Sequence, residues 1–151
     1  MDFMAEALKE AYDGIRHGHG GPFGSVVVKD GGVVGRGHNR VIVQQDATCH
    51  GEMEAIRDAC RKLGTHDLSG CVMYTTAEPC PMCLGAILWA NIKTVYYGCD
   101  RFDTADIGFR DDDFYQYMDG RNDLLALTQI QREKCMELFH EYDRTEGRIQ
   151  Y

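Results

Sequence analysis

The sequence predicts an α/β fold, a single domain spanning 1–151 in which helices cover one mixed five-stranded sheet. Three observations carry that expectation. At 151 residues the chain is one domain in length and long enough to bury a core around a sheet. A hairpin signal between residues 25 and 37 supplies antiparallel pairing. Helix, strand, helix and strand then alternate with short joins from residue 49 to 98, and such a run pairs its strands in parallel.

Along residues 3 to 15, Phe3, Met4, Ala7, Leu8, Ala11, Tyr12 and Ile15 recur at helical spacing, so a first amphipathic helix is expected. It runs into His17-Gly18-His19-Gly20-Gly21-Pro22-Phe23-Gly24. That stretch has the glycines of a phosphate loop, but it lacks the Lys-Ser/Thr ending and precedes a strand; it reads as a turn with two solvated histidines. Strands follow at Ser25 to Lys29 and Val33 to Gly37. The Asp30-Gly31-Gly32 between them can supply the positive φ a hairpin turn needs. Asn39, just past the second strand, can hydrogen-bond a ligand or serve the turn.

From Cys49 to Leu63 the apolar residues Met53, Ile56, Ala59, Cys60 and Leu63 keep helical spacing, and Gly64 closes the segment. Residues 71–76 read as a buried strand, 81–90 as a helix apolar nearly all round with Trp89 in the core, and 93–98 as a further strand. The stretch from Asp100 to Asp119 holds seven aspartates among its aromatics; it reads as a loop with a short helix whose aromatic side packs over the neighbouring pocket. Leu124 to Ile130 completes the five strands, and Arg132 to Tyr142 forms a last helix with Cys135, Met136, Leu138, Phe139 and Tyr142 inward.

Composition excludes several classes of function. The net charge of −8, with no cluster of Lys and Arg, argues against a broad nucleic-acid surface. No apolar run reaches the length of a membrane span. The first residues carry acid where a targeting peptide carries base, so a cytoplasmic protein is expected. Seven cysteines, two of them in metal-ligand spacing, do not suit a secreted disulfide framework. Cys60, Cys71, Cys99 and Cys135 are expected as buried thiols.

The chemistry lies in Cys49-His50-Gly51-Glu52 and Pro79-Cys80-Pro81-Met82-Cys83. Pro81 is a favoured first residue of a helix, which puts Cys80 at the cap and Cys83 on the first turn, both sulfurs facing one way. His50 opens a second helix, for which Thr48 is a candidate N-cap. Two positive helix ends then meet and favour thiolate over thiol. His50, Cys80 and Cys83 are therefore expected to hold Zn2+ with three protein ligands, the count that leaves a position for water. Glu52 lies roughly 200° round the helix from His50 and is free to carry that water's proton. His-x-Glu followed by Pro-Cys-x-x-Cys is the signature of zinc nucleobase deaminases. A closed structural zinc site with Cys49 as fourth ligand, an interaction module, is the non-enzymatic alternative. A redox Cys-x-x-Cys would leave His50 and Glu52 without a role.

On these motifs the chain resembles the cytidine deaminase superfamily over most of its length. Within it, Gly20-Gly21-Pro22-Phe23-Gly24-Ser25-Val26, Glu78 to Ile87, Trp89-Ala90, Ala105 to Asp112 and Tyr151 are similar to the bacterial guanine deaminases. The resemblance implies a three-layer α/β/α cytidine-deaminase-like fold and conversion of guanine to xanthine and ammonia. It also implies a homodimer in which the C-terminal segment is swapped to close the partner's site. For the substrate it implies Asn39 bonding the purine, Phe23 lining the pocket, and Asp111 with Tyr151 at the base-recognition end. Gly51 departs from the alanine usual there; a missing methyl in the pocket wall is expected to alter substrate shape. The resemblance keeps cytosine open, because fungal cytosine deaminases of the superfamily have His-Gly-Glu, and guanosine open, because related plant enzymes act on it. tRNA adenosine deamination uses the same zinc site but calls for a basic surface.

Overall fold

The computed structural model describes all 151 residues, and no helix in it is long and apolar enough to cross a membrane. Helix α1 (Phe3–Arg16) starts where the Asp2 side chain accepts the Ala5 N–H at 3.0 Å, a standard way to satisfy an orphan helix donor. Strands β1 (Gly24–Lys29) and β2 (Gly32–His38) form the antiparallel hairpin. Asp30 and Gly31 both take positive φ, 50° and 77°, so the turn's twist matches that of the strands. After the short helix α2 (Val41–Gln44) come α3 (Gly51–Leu63), β3 (Val72–Ala77), α4 (Pro81–Trp89) and β4 (Thr94–Cys99). The acidic stretch folds into two helices, α5 (Arg101–Asp106) and α6 (Asp111–Met118), and α7 (Arg132–Asp143) is the last element.

The sheet order is β2-β1-β3-β4, with β3 antiparallel to β1 and parallel to β4. Alternation along β1 divides the core between its two faces. Val26 and Val28 pack with Ala7, Phe3 and Met4 of α1. Val27 faces the other way, into the larger core with Ala55 and Ala59 of α3, Met73, and Ile87 of α4. The result is three layers, α1 on one face and α3 with α4 on the other. Gly35 and Gly37 bring α3 close to β2: a Cβ on either would lie 2.5 Å from Ala55 O or Glu54 Cβ. This close approach sets the height at which α3 presents its N-terminus.

The sheet has four strands, not five. Residues 124–130 form no ladder, because a strand exists only where a neighbour meets its N–H and C=O groups, and nothing in this chain does so. β4 is consequently an edge, and Tyr96, Tyr97 and Cys99 are exposed on it. On α7, Leu138, Phe139, Tyr142 and Cys135 are exposed as well, contrary to the inward face expected of them. Trp89 is 68% exposed instead of core. Cys71 is buried and Cys60 half-buried, as small hydrophobes should be. His19 is not simply solvated: its Nδ1 lies 2.8 Å from His38 Nε2, and Glu10 holds the far side of His38 at 2.9 Å.

Candidate active site and metal centre

Two helix starts build the centre. His50 is the N-cap of α3 and Cys80 the N-cap of α4, both with extended backbone and neither using its side chain as a cap. Thr48 is not the cap; its hydroxyl donates to Asp46 at 2.8 Å. Pro81 opens α4, and Cys83 sits on its first turn. The ligand atoms of His50, Cys80 and Cys83 all lie within 4.8 Å of one another, and His50 Nδ1 is 3.5 Å from Cys80 Sγ. Ligands at about 2.0–2.3 Å from a tetrahedral zinc stand roughly 3.5–3.8 Å apart, so this donor set fits the ion.

Cys49 is absent from the cluster. It is buried, with Arg57 Nη1 3.9 Å from its sulfur. The closed four-ligand site, and with it the structural zinc module, is thereby excluded.

The two thiols divide the charge unevenly: the bond to Cys80, with burial, pushes Cys83 well above the ordinary thiol range. The Cys83 thiol and the His50 ring beside Cys80 hold its thiol well below the ordinary thiol range. The bond to Cys80 raises the pKa of His50. Glu52, 4% exposed, is pushed above the usual carboxyl range by burial, with Cys83 and Thr75 drawing it back. Its Oε1 accepts the Thr75 hydroxyl at 2.7 Å. Asp111, at the start of α6, is pushed up to about 6, first by burial and then by the Cys80 thiolate.

These groups open onto a cavity of about 320 Å³, at the small end of the range for small-molecule sites. Phe23, Asn39 and Asp111 line it beside His50, Glu52 and Cys80, as the sequence suggests. The Asn39 Oδ1 accepts the Val41 N–H at 3.0 Å, and no bond engages its Nδ2. Phe109 meets Phe23 edge to face at 4.9 Å, so one aromatic of the acidic stretch packs over the metal pocket. Ile42, Glu78 and Arg110 also line the cavity but were not legible as site residues, since each arrives on a loop or short helix. Glu78 Oε1 accepts the Arg101 N–H at 2.9 Å, and the Tyr115 hydroxyl donates to Pro79 O; both brace the segment that leads into Cys80.

Gly51 and Tyr151 both lie outside the cavity of their own chain. Gly51 does not line the cavity: a Cβ there would meet Phe23 O at 3.1 Å and Gly24 Cα at 3.4 Å, against the sheet and away from the substrate space. Tyr151 is not at its own chain's site either. It is 76% exposed and lies beside Trp89 and His66, at centroid distances of 6.0 and 5.9 Å.

Residues 1–99 match the family described as the cytidine and deoxycytidylate deaminase zinc-binding region. A guanine deaminase of Bacillus subtilis (strain 168) is 47% identical over 117 residues, 78% of this chain and 75% of that protein. The X-ray structure of guanine deaminase from Bacillus subtilis superposes with a TM-score of 0.93 at 38% identity, covering 99% of this chain and 96% of that one. A tRNA-specific adenosine deaminase of the same organism is 41% identical over 96 residues, 64% of this chain and 59% of that protein.

Proposed function

Since the chain belongs to the cytidine and deoxycytidylate deaminase family and is a zinc-dependent hydrolytic deaminase, we propose that it converts guanine to xanthine and ammonia. The observation that carries this reading is the extent of the likeness. The match to a guanine deaminase structure covers 99% of the chain, whereas the match to a structure of a tRNA:A34 deaminase covers 65%. A net charge of −8 also suits a small neutral base better than tRNA.

Zinc, held by His50, Cys80 and Cys83, supplies the Lewis acidity that makes water a nucleophile near neutral pH. Glu52 does the proton work. It takes one proton from the attacking water and gives it to ring N3 as the oxygen bonds to C2. It then passes the remaining proton to the amine, whose C2–N bond breaks as C2=O forms, so that water enters and ammonia leaves. Phe23 and Phe109 wall the flat base. Asn39 Nδ2 and Asp111, among the polar groups of the lining, read its edge.

Residues 1–151 act as one deaminase domain, and two copies share C-terminal segments. This reading rests on unpaired apolar surface of complementary kinds: Leu125, Leu127, Leu138 and Phe139 exposed on the segment, Leu88 and Trp89 exposed on α4, and an open β4 edge. Such a surface does not stay in water on a monomer. In a shared arrangement Tyr151 closes the partner's pocket. Seven free cysteines support the reading of a cytoplasmic enzyme of purine base metabolism.

The test is ammonia release from guanine, guanosine, cytosine, adenosine and tRNA, with Glu52→Ala as control. Turnover of guanine above the others is expected. Preference for tRNA, with binding that weakens as salt rises, would replace this reading with RNA editing.

A further inference from the structure

Glu52 is held by something the zinc motif does not contain. Ser25 on β1 and Thr75 on β3 are register partners at the centre of the sheet, both fully buried, on the face that meets α3. Ser25 Oγ lies 2.7 Å from Thr75 Oγ1, and Thr75 Oγ1 lies 2.7 Å from Glu52 Oε1. An ionised carboxylate only accepts, and a hydroxyl has one proton. In the form that accepts a proton from water Glu52 is ionised, so Thr75 donates to it and Ser25 donates to Thr75. Besides Ser25 Oγ, the acceptor near the Thr75 hydroxyl is Gly24 O, at 3.5 Å. The direction of the whole chain is thus set by the carboxylate at its end.

The hydroxyls are not there for packing. Valine has the shape of threonine and suits a buried strand, and a buried hydroxyl is costly unless it is bonded. No salt bridge reaches Glu52. The Cys83 thiol also leans on this carboxylate, but a thiolate bound to metal has no proton to give. Thr75 is then the side-chain donor that remains.

We propose that Thr75, oriented by Ser25, is the positioning residue of the proton carrier: it ties down Oε1 of Glu52, so that Oε2 takes the proton from water and returns it to the base and the leaving amine. The inference rests on the deaminase reading but not on the identity of the base, because every substrate in the panel needs the same transfer. It is tested on whichever substrate the wild-type protein turns over, so an error about guanine leaves it intact.

Thr75→Val, Thr75→Ser and Ser25→Ala are compared for bound zinc, KM and kcat. Thr75→Val is expected to keep one zinc per chain and a KM near wild type while kcat falls about 10- to 100-fold, part of what general acid–base catalysis supplies. Thr75→Ser keeps the hydroxyl and restores kcat to within a few-fold. Ser25→Ala frees the Thr75 proton to turn and lowers kcat several-fold at unchanged KM. Wild-type kcat in Thr75→Val, an equal loss in Thr75→Ser, or a loss that follows zinc content would each overturn the proposal. Should Thr75→Val not fold, Ser25→Ala decides, and wild-type kcat there overturns it.

Discussion

A methyl group on Gly20 tests whether Asn39 reads the substrate. A Cβ at that position would lie 2.1 Å from Asn39 Oδ1, and real Cβ contacts do not fall below 3.0 Å, so the amide must retreat by about 0.9 Å. Gly20 does not need positive φ, so alanine strains nothing in its own backbone. Two effects follow from one displacement. The bond from Val41 N to Oδ1, at 3.0 Å, is broken or bent, which costs about 0.5–1.5 kcal/mol and lowers Tm by about 2–5 °C. The face that Asn39 offers the base also shifts by nearly 1 Å, and a misplacement of that size costs up to about 100-fold in rate, equivalent to about 2.7 kcal/mol. Steady-state ammonia release by Gly20→Ala should show kcat/KM down by about 10- to 100-fold with zinc content unchanged. Asn39→Ala should lose at least as much, and the double variant should be no worse than Asn39→Ala, because both act through one amide. A Gly20→Ala protein with wild-type kcat/KM, or losses that simply add in the double variant, would refute the assignment of Asn39.

Other outcomes follow from the same geometry. Gly51→Ala should leave the order of substrate preference unchanged, since its methyl would face Phe23 O at 3.1 Å and not the cavity; stability should move by no more than about 1 kcal/mol, as helix propensity offsets the tight contact, and a switch between purine and pyrimidine would show that the methyl reaches substrate. Asp111 has a folded pKa of about 6 against about 3.9 unfolded, so the fold binds the extra proton and its stability falls as pH rises through that window. Urea titrations of metal-free Asp111→Asn should therefore show no gain at pH 4 and a gain of about 1 kcal/mol at pH 7, after allowing for the half-exposed carboxyl; equal gains at both pH values would be the contrary result. Co-expression of Glu52→Ala with a chain lacking residues 144–151 should restore activity that neither has alone, because the mixed dimer keeps one intact Glu52 under one intact tail. Absence of complementation, with mixed dimers present on a sizing column, would remove Tyr151 from the partner's site.

Much of the centre was legible because its geometry is local. One proline puts two sulfurs at a helix cap and on its first turn, and one helix start keeps Glu52 out of the ligand cluster while leaving it in the same cavity as His50; both relations span no more than a few residues. The hairpin followed in the same way from Asp30-Gly31. What the sequence could not decide was anything whose partner lies far along the chain or outside it. The apolar pattern of Leu124 to Ile130 is that of a strand, yet a strand needs a neighbour's backbone, and the four-stranded sheet ends at β4. The inward face expected of α7, the burial of Cys99 and Cys135, and the core position of Trp89 failed for the same reason, since hydrophobic spacing shows that a face must be covered but not what covers it. The direction of a Cβ at Gly51, the edge-to-face contact of Phe109 on Phe23, and the Ser25–Thr75–Glu52 chain were likewise decided by tertiary structure. Residue spacing determined which atoms can bind the metal; long-range packing determined what surrounds them, because distance between side chains in a folded protein is set by the sheet register and helix height that only the assembled fold provides.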